Sequence, residues 1–147
     1  MKDKIFKEKY YPHAIEAVWN AITTAEQITA WFLKADFKAK PGYEYTLMHE
    51  VVKPDGECSS TIVKGKVLKA EPVHHLSYTW VVDGATETIV NWYLEEKDGG
   101  TLLRIEHSGI SLYPSSEIAL NMFNSFSGGW DNCLSELEKY MKATVDA

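Results

Sequence analysis

The sequence is poor in the features that mark several large protein classes. It has only two cysteines, Cys58 and Cys133, and neither belongs to a Cys-x-x-Cys pair. A disulfide framework is therefore excluded as the source of stability, and a reduced thiol of a cytoplasmic protein is expected at each position. No run of Lys and Arg occurs; the cations are scattered through a chain of formal net charge -6. That excludes the clustered cationic surface by which proteins hold nucleic acid or anionic membranes. No stretch approaches the about 20 consecutive apolar residues of a membrane span, so membrane insertion is not expected. The opening MKDKIFKEKYYPH lacks the apolar segment of a secretory leader. The His residues at positions 13, 49, 74, 75 and 107 show no zinc-type spacing, and Gly99-Gly100 and Gly128-Gly129 fit no phosphate-cradling pattern. Neither a metal nor any other cofactor is expected. Linkers, repeats and low-complexity segments are missing too, so the 147 residues are expected to form a single domain, 1–147.

Aromatic side chains are abundant by contrast. Five Trp, eight Tyr and five Phe stand in a chain that is 45% hydrophobic and 24% charged. Such rings bury large areas and also line ligand pockets. Residues 3–11 predict a strand ending before Pro12. Ile15, Val18, Trp19 and Ile22 then fall on one helical face, and Thr24 with Gln27 fits a capping box that starts a second short helix carrying Ile28, Trp31 and Phe32. From about 35 to 110 the period changes to two. Tyr43, Tyr45, Leu47, His49 and Val51 share one face of a strand; Leu76, Tyr78, Trp80 and Val82 share another; Val90, Trp92 and Leu94 a third; Leu103, Ile105 and His107 a fourth. Residues 59–70 read as a further strand. Turn signals at Pro54-Asp55-Gly56, Glu71-Pro72, Asp83-Gly84 and Asp98-Gly99-Gly100 separate these runs, which implies an antiparallel meander. After Pro114 a helical period returns through about residue 142, with Ile118, Met122, Phe126, Gly129, Cys133, Leu137 and Tyr140 in one row and Phe123, Trp130, Leu134 and Met141 beside it. Gly128-Gly129 interrupts this pattern. Either the helix breaks there, or it continues and the missing side chains admit a backbone, a loop or a ligand; a continuous or slightly bent helix is favoured.

Several segments in this order carry a resemblance. Ala17-Val18-Trp19-Asn20-Ala21-Ile22, Thr29-Ala30-Trp31-Phe32, Gly65-Lys66-Val67-Leu68 with Glu71-Pro72 and Leu76-Ser77-Tyr78-Thr79-Trp80, Gly100-Thr101-Leu102-Leu103 with His107-Ser108-Gly109, and Gly129-Trp130 with Leu134, Leu137 and Tyr140 are similar to motifs of the START-like (SRPBCC) superfamily. Within it they resemble the family named after the C-terminal domain of the Hsp-90 ATPase activator. The likeness runs over nearly the whole chain. It implies an α+β, helix-grip (START-like) fold: a curved antiparallel sheet with two short helices and a long C-terminal helix. Eukaryotic activators carry a further N-terminal domain, which is not expected here because the sequence opens at its first strand. Other relatives bind lipids, plant phenolics or polyketides, and some are cyclases.

No catalytic set stands out among the residues. Cys133 lies mid-helix on the apolar face, Cys58 sits among acidic neighbours that disfavour a thiolate, and Ser108 beside His107 makes no triad. His107 and His49 share faces with apolar residues, where a histidine is more often a satisfied core group than a catalyst. Counting the residues that face the helix gives an expected ligand-binding lining of Tyr45, Leu47, Tyr78, Trp80, Trp92, Leu103, Ile105, His107, Met122 and Phe126. That a cavity remains between them is implied by the resemblance. The expected activity is binding of a small apolar or aromatic molecule (lipid, phenolic or polyketide-like) in the cavity between sheet and C-terminal helix. The tips of Tyr45 and His107 would orient a hydroxyl or carboxylate. The alternatives are a cyclase- or hydrolase-type enzyme using His107 or His49, and a stand-alone interaction module whose partner is a chaperone.

Overall fold

A computed structural model describes residues 4–52, 54, 56, 58–82 and 86–145; the side chains of 49–52, 58–60, 144 and 145 lie outside the description. The readings of His49 and Cys58, the turn at Asp83-Gly84 and part of that at Pro54-Asp55-Gly56 therefore fall outside it.

The chain runs β1 (Ile5–Tyr11), α1 (Ile15–Thr23), α2 (Ala25–Trp31), β2 (Lys34–Asp36), β3 (Glu44–Val52), β4 (Cys58–Glu71), β5 (His75–Val82), β6 (Thr88–Lys97), β7 (Gly100–Ser108), a short 3-10 turn at Ile110–Leu112, and α3 (Ser116–Val145). The strands form one antiparallel sheet in the order β1-β7-β6-β5-β4-β3-β2. This is the helix-grip arrangement that the sequence predicts, with the meander closed by β1 pairing with β7.

Local chemistry accounts for the path. Between β6 and β7 only Asp98 and Gly99 remain, both at positive φ (48° and 79°), the two-residue hairpin geometry that matches strand twist and favours Asp-Gly. Where β4 bends over β5, a β-carbon on Gly65 would come within 1.9 Å of the Thr79 carbonyl oxygen and 2.7 Å of the Tyr45 ring, so only glycine fits. The register shift between Val67 and Lys69 lies just beyond and adds to the bend.

Paired residues on neighbouring strands face the same side, and the rungs carry the core. Tyr78 pairs with Val90, Val90 with His107, and His107 with Ile5; Leu76 pairs with Trp92 and Trp92 with Ile105. All five tryptophans are buried, including the expected Trp19, Trp80 and Trp130. The two short helices cover one part of this face, tied together by the Trp31 indole donating to the Ala21 carbonyl at 2.8 Å.

Two details differ from expectation. Thr24 does occupy the N-cap of α2, but its side chain makes no capping bond. Gln27 instead accepts a hydrogen bond from the Tyr140 hydroxyl at 3.1 Å, so the residue read as half of a capping box joins α2 to α3. The strand β2 has only three residues, too short to show a period. It is set by pairing with β3 and by the Ala35 amide donating to Thr29 Oγ1 at 3.0 Å.

Helix α3 is continuous through Gly128-Gly129. Its two halves sit differently. Trp130, Cys133, Leu134, Leu137 and Met141 are all buried, whereas Met122, Phe123 and Phe126 are only half-buried and Ile118 is 44% exposed. The C-terminal half is fastened to β1: the Tyr11 hydroxyl donates to the Leu134 carbonyl at 2.8 Å, and Lys7 and Lys9 pair with Asp131 and Glu138 at 3.1 and 3.2 Å. Exposed pairs of this kind contribute at most about 1 kcal/mol each; the buried row supplies most of the holding energy. The N-terminal half is covered less completely: Ala119 is buried and the Phe126 ring lies 4.6 Å from that of His107, but space remains between this half and strands β4 and β5.

Candidate functional site

The stand-off of the first half of α3 leaves a cavity of about 410 Å³. Val63 and Thr61 of β4 and Trp80 and Val82 of β5 form its floor. Phe32 and Leu33, just past α2, close one end, and Met122, Ser125, Phe126, Gly129 and Trp130 of α3 form the roof. Ser125 and Gly129 are exposed, so the cavity opens to solvent along the helix. Among the described residues of the lining, no side chain is ionisable and the hydroxyls are those of Thr61 and Ser125. Such a site can hold a molecule by apolar area and orient it by few polar points.

Three of the ten residues expected from the sequence, Trp80, Met122 and Phe126, are brought together here. Leu47, Tyr78 and Trp92 surround a second void of only about 10 Å³, no larger than one water needs. Phe32 stands in the wall shared by the two spaces. Leu103, Ile105 and His107 are fully buried in side-chain packing, and Tyr45 is 1% exposed, with its hydroxyl donating to the Thr79 carbonyl at 2.5 Å. Burial raises the pKa of the Tyr45 and Tyr78 hydroxyls above the ordinary tyrosine range, so both stay neutral. Cys133 is likewise buried, and its thiol pKa is pushed up by desolvation, which makes it inert as a nucleophile.

The centre is filled because the helix contributes its largest side chain there. The Trp130 ring lies 5.2 Å from that of Trp80 and 5.7 Å from that of Trp92, and its indole donates to His107 Nδ1 at 3.0 Å. An accepting Nδ1 leaves the proton on Nε2 in the neutral ring. His107 Nε2 then donates to Thr88 Oγ1 at 2.6 Å, and Thr88 Oγ1 donates to the Trp80 carbonyl at 3.1 Å. This chain of bonds runs from helix to strand β7, β6 and β5, and each donor has an acceptor. Burial pulls the pKa of His107 down to about 4, in keeping with an imidazole that has no room for a second proton. His107 is thus engaged at both nitrogens, one ring behind the cavity wall, with Phe126 4.6 Å from it.

The remaining lining residues carried weaker signals in the sequence. Gly129 was marked as a break in the helical pattern, where a backbone, a loop or a ligand could come close, and as part of the Gly129-Trp130 motif. Val63 sits in a strand whose period is blurred by its β-branched stretch, and Leu33 follows the helix end.

Among the described residues, no group of His, Cys, Asp and Glu is placed to hold a metal ion, and no helix is long and apolar enough to cross a membrane.

Solved structures share this architecture. The protein MLL2253 from Mesorhizobium loti is 25% identical, with 96% of this chain and 98% of that one aligned at a TM-score of 0.78. A Rhodobacter sphaeroides protein, 21% identical, aligns over 97% and 94% at 0.79. DynU16, a protein of the dynemicin biosynthetic locus and 22% identical, aligns at 0.77 over 97% of this chain and 48% of its own. No protein with a curated description matches the sequence. Residues 12–142 match the family described as Activator of Hsp90 ATPase homolog 1-like protein, and the chain belongs to that family.

Proposed function

We propose that the protein binds a small apolar or aromatic molecule, of lipid, phenolic or polyketide-like character, in the cavity between β4, β5 and the first half of α3. The observation that carries this reading is the cavity itself: about 410 Å³, lined by Phe32, Leu33, Val63, Trp80, Met122 and Phe126 among others, beneath a helix half that stands off the sheet. Ligand pockets typically measure about 300–1,000 Å³. Half-buried Met122 supplies adaptable packing, and the opening at Ser125 and Gly129 supplies a way in. Binding without turnover is favoured because, among the described residues, no acid or base lines the space and His107 is occupied at both nitrogens.

The test is a screen of phenolics, fatty acids and lipids by NMR shift mapping, together with native mass spectrometry of the purified protein. A ligand of this cavity shifts the amides of residues 32–33, 61–63, 80–82 and 122–130 together. If no compound moves that set, or if ligands shift only amides elsewhere, the reading is wrong.

A further inference from the structure

Behind one end of the cavity lies the second void, of only about 10 Å³, lined from α1, α2 and the strands β3, β5 and β6. Among the described lining residues, Phe32 alone belongs to both spaces, so its side chain is the partition between them. The ring is braced on two sides. It stacks on Trp31 at 5.2 Å and 19°, and it lies 6.3 Å from the ring of Trp130. Both braces are themselves tied down: the Trp31 indole donates to the Ala21 carbonyl at 2.8 Å, and the Trp130 indole to His107 Nδ1 at 3.0 Å. The Phe32 amide donates to the Ile28 carbonyl at 2.8 Å, which holds its backbone against the end of α2.

The partition separates like from like. Ile28, Phe37, Leu47 and Trp92 behind it are buried and apolar, as are Val63 and Trp80 in front. The Tyr78 hydroxyl behind it already accepts the Trp92 indole at 2.8 Å. The barrier is therefore steric, the bulk of one ring. A close-packed interior admits no atoms beyond such a ring, whereas truncating it leaves space that an apolar group can fill. Resting on the binding reading above, we propose that Phe32 is a specificity-determining residue: its ring sets the depth of the site, so that the cavity takes apolar groups that end there and excludes longer ones from the space behind. Leu33 closes the same end of the cavity but does not line the second void, and it supplies the control.

The experiment titrates 4-alkylphenols, from ethyl to octyl, into protein labelled with nitrogen-15, unaltered and as Phe32→Ala and Leu33→Ala. In the unaltered protein the series should shift the amides of 61–63, 80–82 and 122–130 and leave those of Phe37 and Trp92 in place, with affinity levelling off as the chain lengthens. In Phe32→Ala the longest members should also shift Phe37 and Trp92. The ratio of octyl to butyl affinity should rise there by about tenfold or more, since each further methylene buried is worth about fourfold. Leu33→Ala should leave that ratio within about twofold of the unaltered protein's. If Phe32→Ala does not fold, Phe32→Leu, which removes the ring and keeps an apolar side chain, takes its place. An unchanged ratio in the variant at 32, an equal rise in Leu33→Ala, or shifts of Phe37 and Trp92 in the unaltered protein would overturn the assignment of Phe32 and leave the cavity reading standing. If no member shifts the amides of 61–63, 80–82 and 122–130 in the unaltered protein, the cavity reading falls and the depth assignment with it.

Discussion

Trp130 of helix α3 and His107 of strand β7 are joined by a single hydrogen bond of 3.0 Å, indole to imidazole, at the point where the helix passes over the middle of the sheet. The bond fixes the tautomer of the histidine and the rotation of the helix together. It also separates the packed half of the interior from the half that holds the cavity.

The first prediction concerns acid. His107 has an ordinary pKa near 6.5 when unfolded and one pulled down to about 4 by burial when folded. Between those values the unfolded chain takes up a proton that the folded one refuses. The contribution is fully present above about pH 6.5 and lost as pH falls towards 4, to a total of roughly 3 kcal/mol. Urea denaturation at a series of pH values should show this slope in the unaltered protein and not in His107→Leu. Parallel slopes in the two would show that the histidine is protonated in the folded state.

The same variant has a pH-independent penalty. His107→Leu leaves the Trp130 N–H buried without an acceptor, which costs about 1–3 kcal/mol. His107→Gln keeps an acceptor and a donor on one side chain and should lose less. The midpoints of chemical denaturation at pH 8, where the histidine is neutral in both states, give the comparison directly.

Trp130→Ala should leave little folded protein. It removes a 2% exposed ring and the helix end of the hydrogen-bond chain. Truncating a large buried aromatic costs about 3–5 kcal/mol, against a typical total of about 5–15. Near-native melting by circular dichroism would show that the helix is not held by this side chain.

The glycine pair separates stability from binding. A β-carbon at Gly128 or Gly129 would meet nothing within 4 Å, so alanine at either should stabilise α3 by about 1 kcal/mol. Only Gly129 lines the cavity. Gly129→Ala should therefore weaken ligand binding while Gly128→Ala leaves it unchanged, as measured by titration beside thermal melts. Equal affinities in the two variants would remove the ligand as the reason for glycine at 129.

Electrostatics supplies the last. With a net charge of -6 and no cationic cluster in the sequence, the protein should bind neither duplex DNA nor anionic vesicles at physiological salt. Fluorescence anisotropy and vesicle co-sedimentation test this; salt-sensitive micromolar binding to either would contradict it.

Much of the fold was legible because periodicity reports which face of an element is buried. The rows through Tyr78, Trp92 and Ile105, and through Cys133 and Leu137, turned inward as their spacing required. Less legible was anything set by distance. The pattern through Ile118, Met122 and Phe126 is as apolar as that through Cys133 and Leu137, so nothing in it said that the first half of α3 would stand off and the second would not. The second half buries its row from Trp130 to Met141 and is joined by Tyr11, Lys7 and Lys9, all contacts with partners far away in the chain. For the same reason Trp80, Met122 and Phe126 meet at the cavity while His107, in an equally apolar row, is sealed behind Trp130. The short strand β2 and the reassigned Gln27 were invisible to any pattern, since both are fixed by contacts made after folding.

The pairing of β1 with β7, in which Ile5 lies opposite His107, has a consequence for how the molecule is made. Each of the later strands from β3 onward can pair with its predecessor as soon as it leaves the ribosome, but β1 is synthesised first and must wait for the last strand. Non-local pairings of this kind slow folding, because a long loop has to close before any contact rewards it. Until then the apolar side chains of Ile5 and Tyr11, destined for the core, have no sheet to join. The clamp that β1 forms on α3 spans a still longer stretch of chain, from Tyr11 to Leu134, so the contacts that close one half of the interior beside the open cavity are among the least local in the molecule.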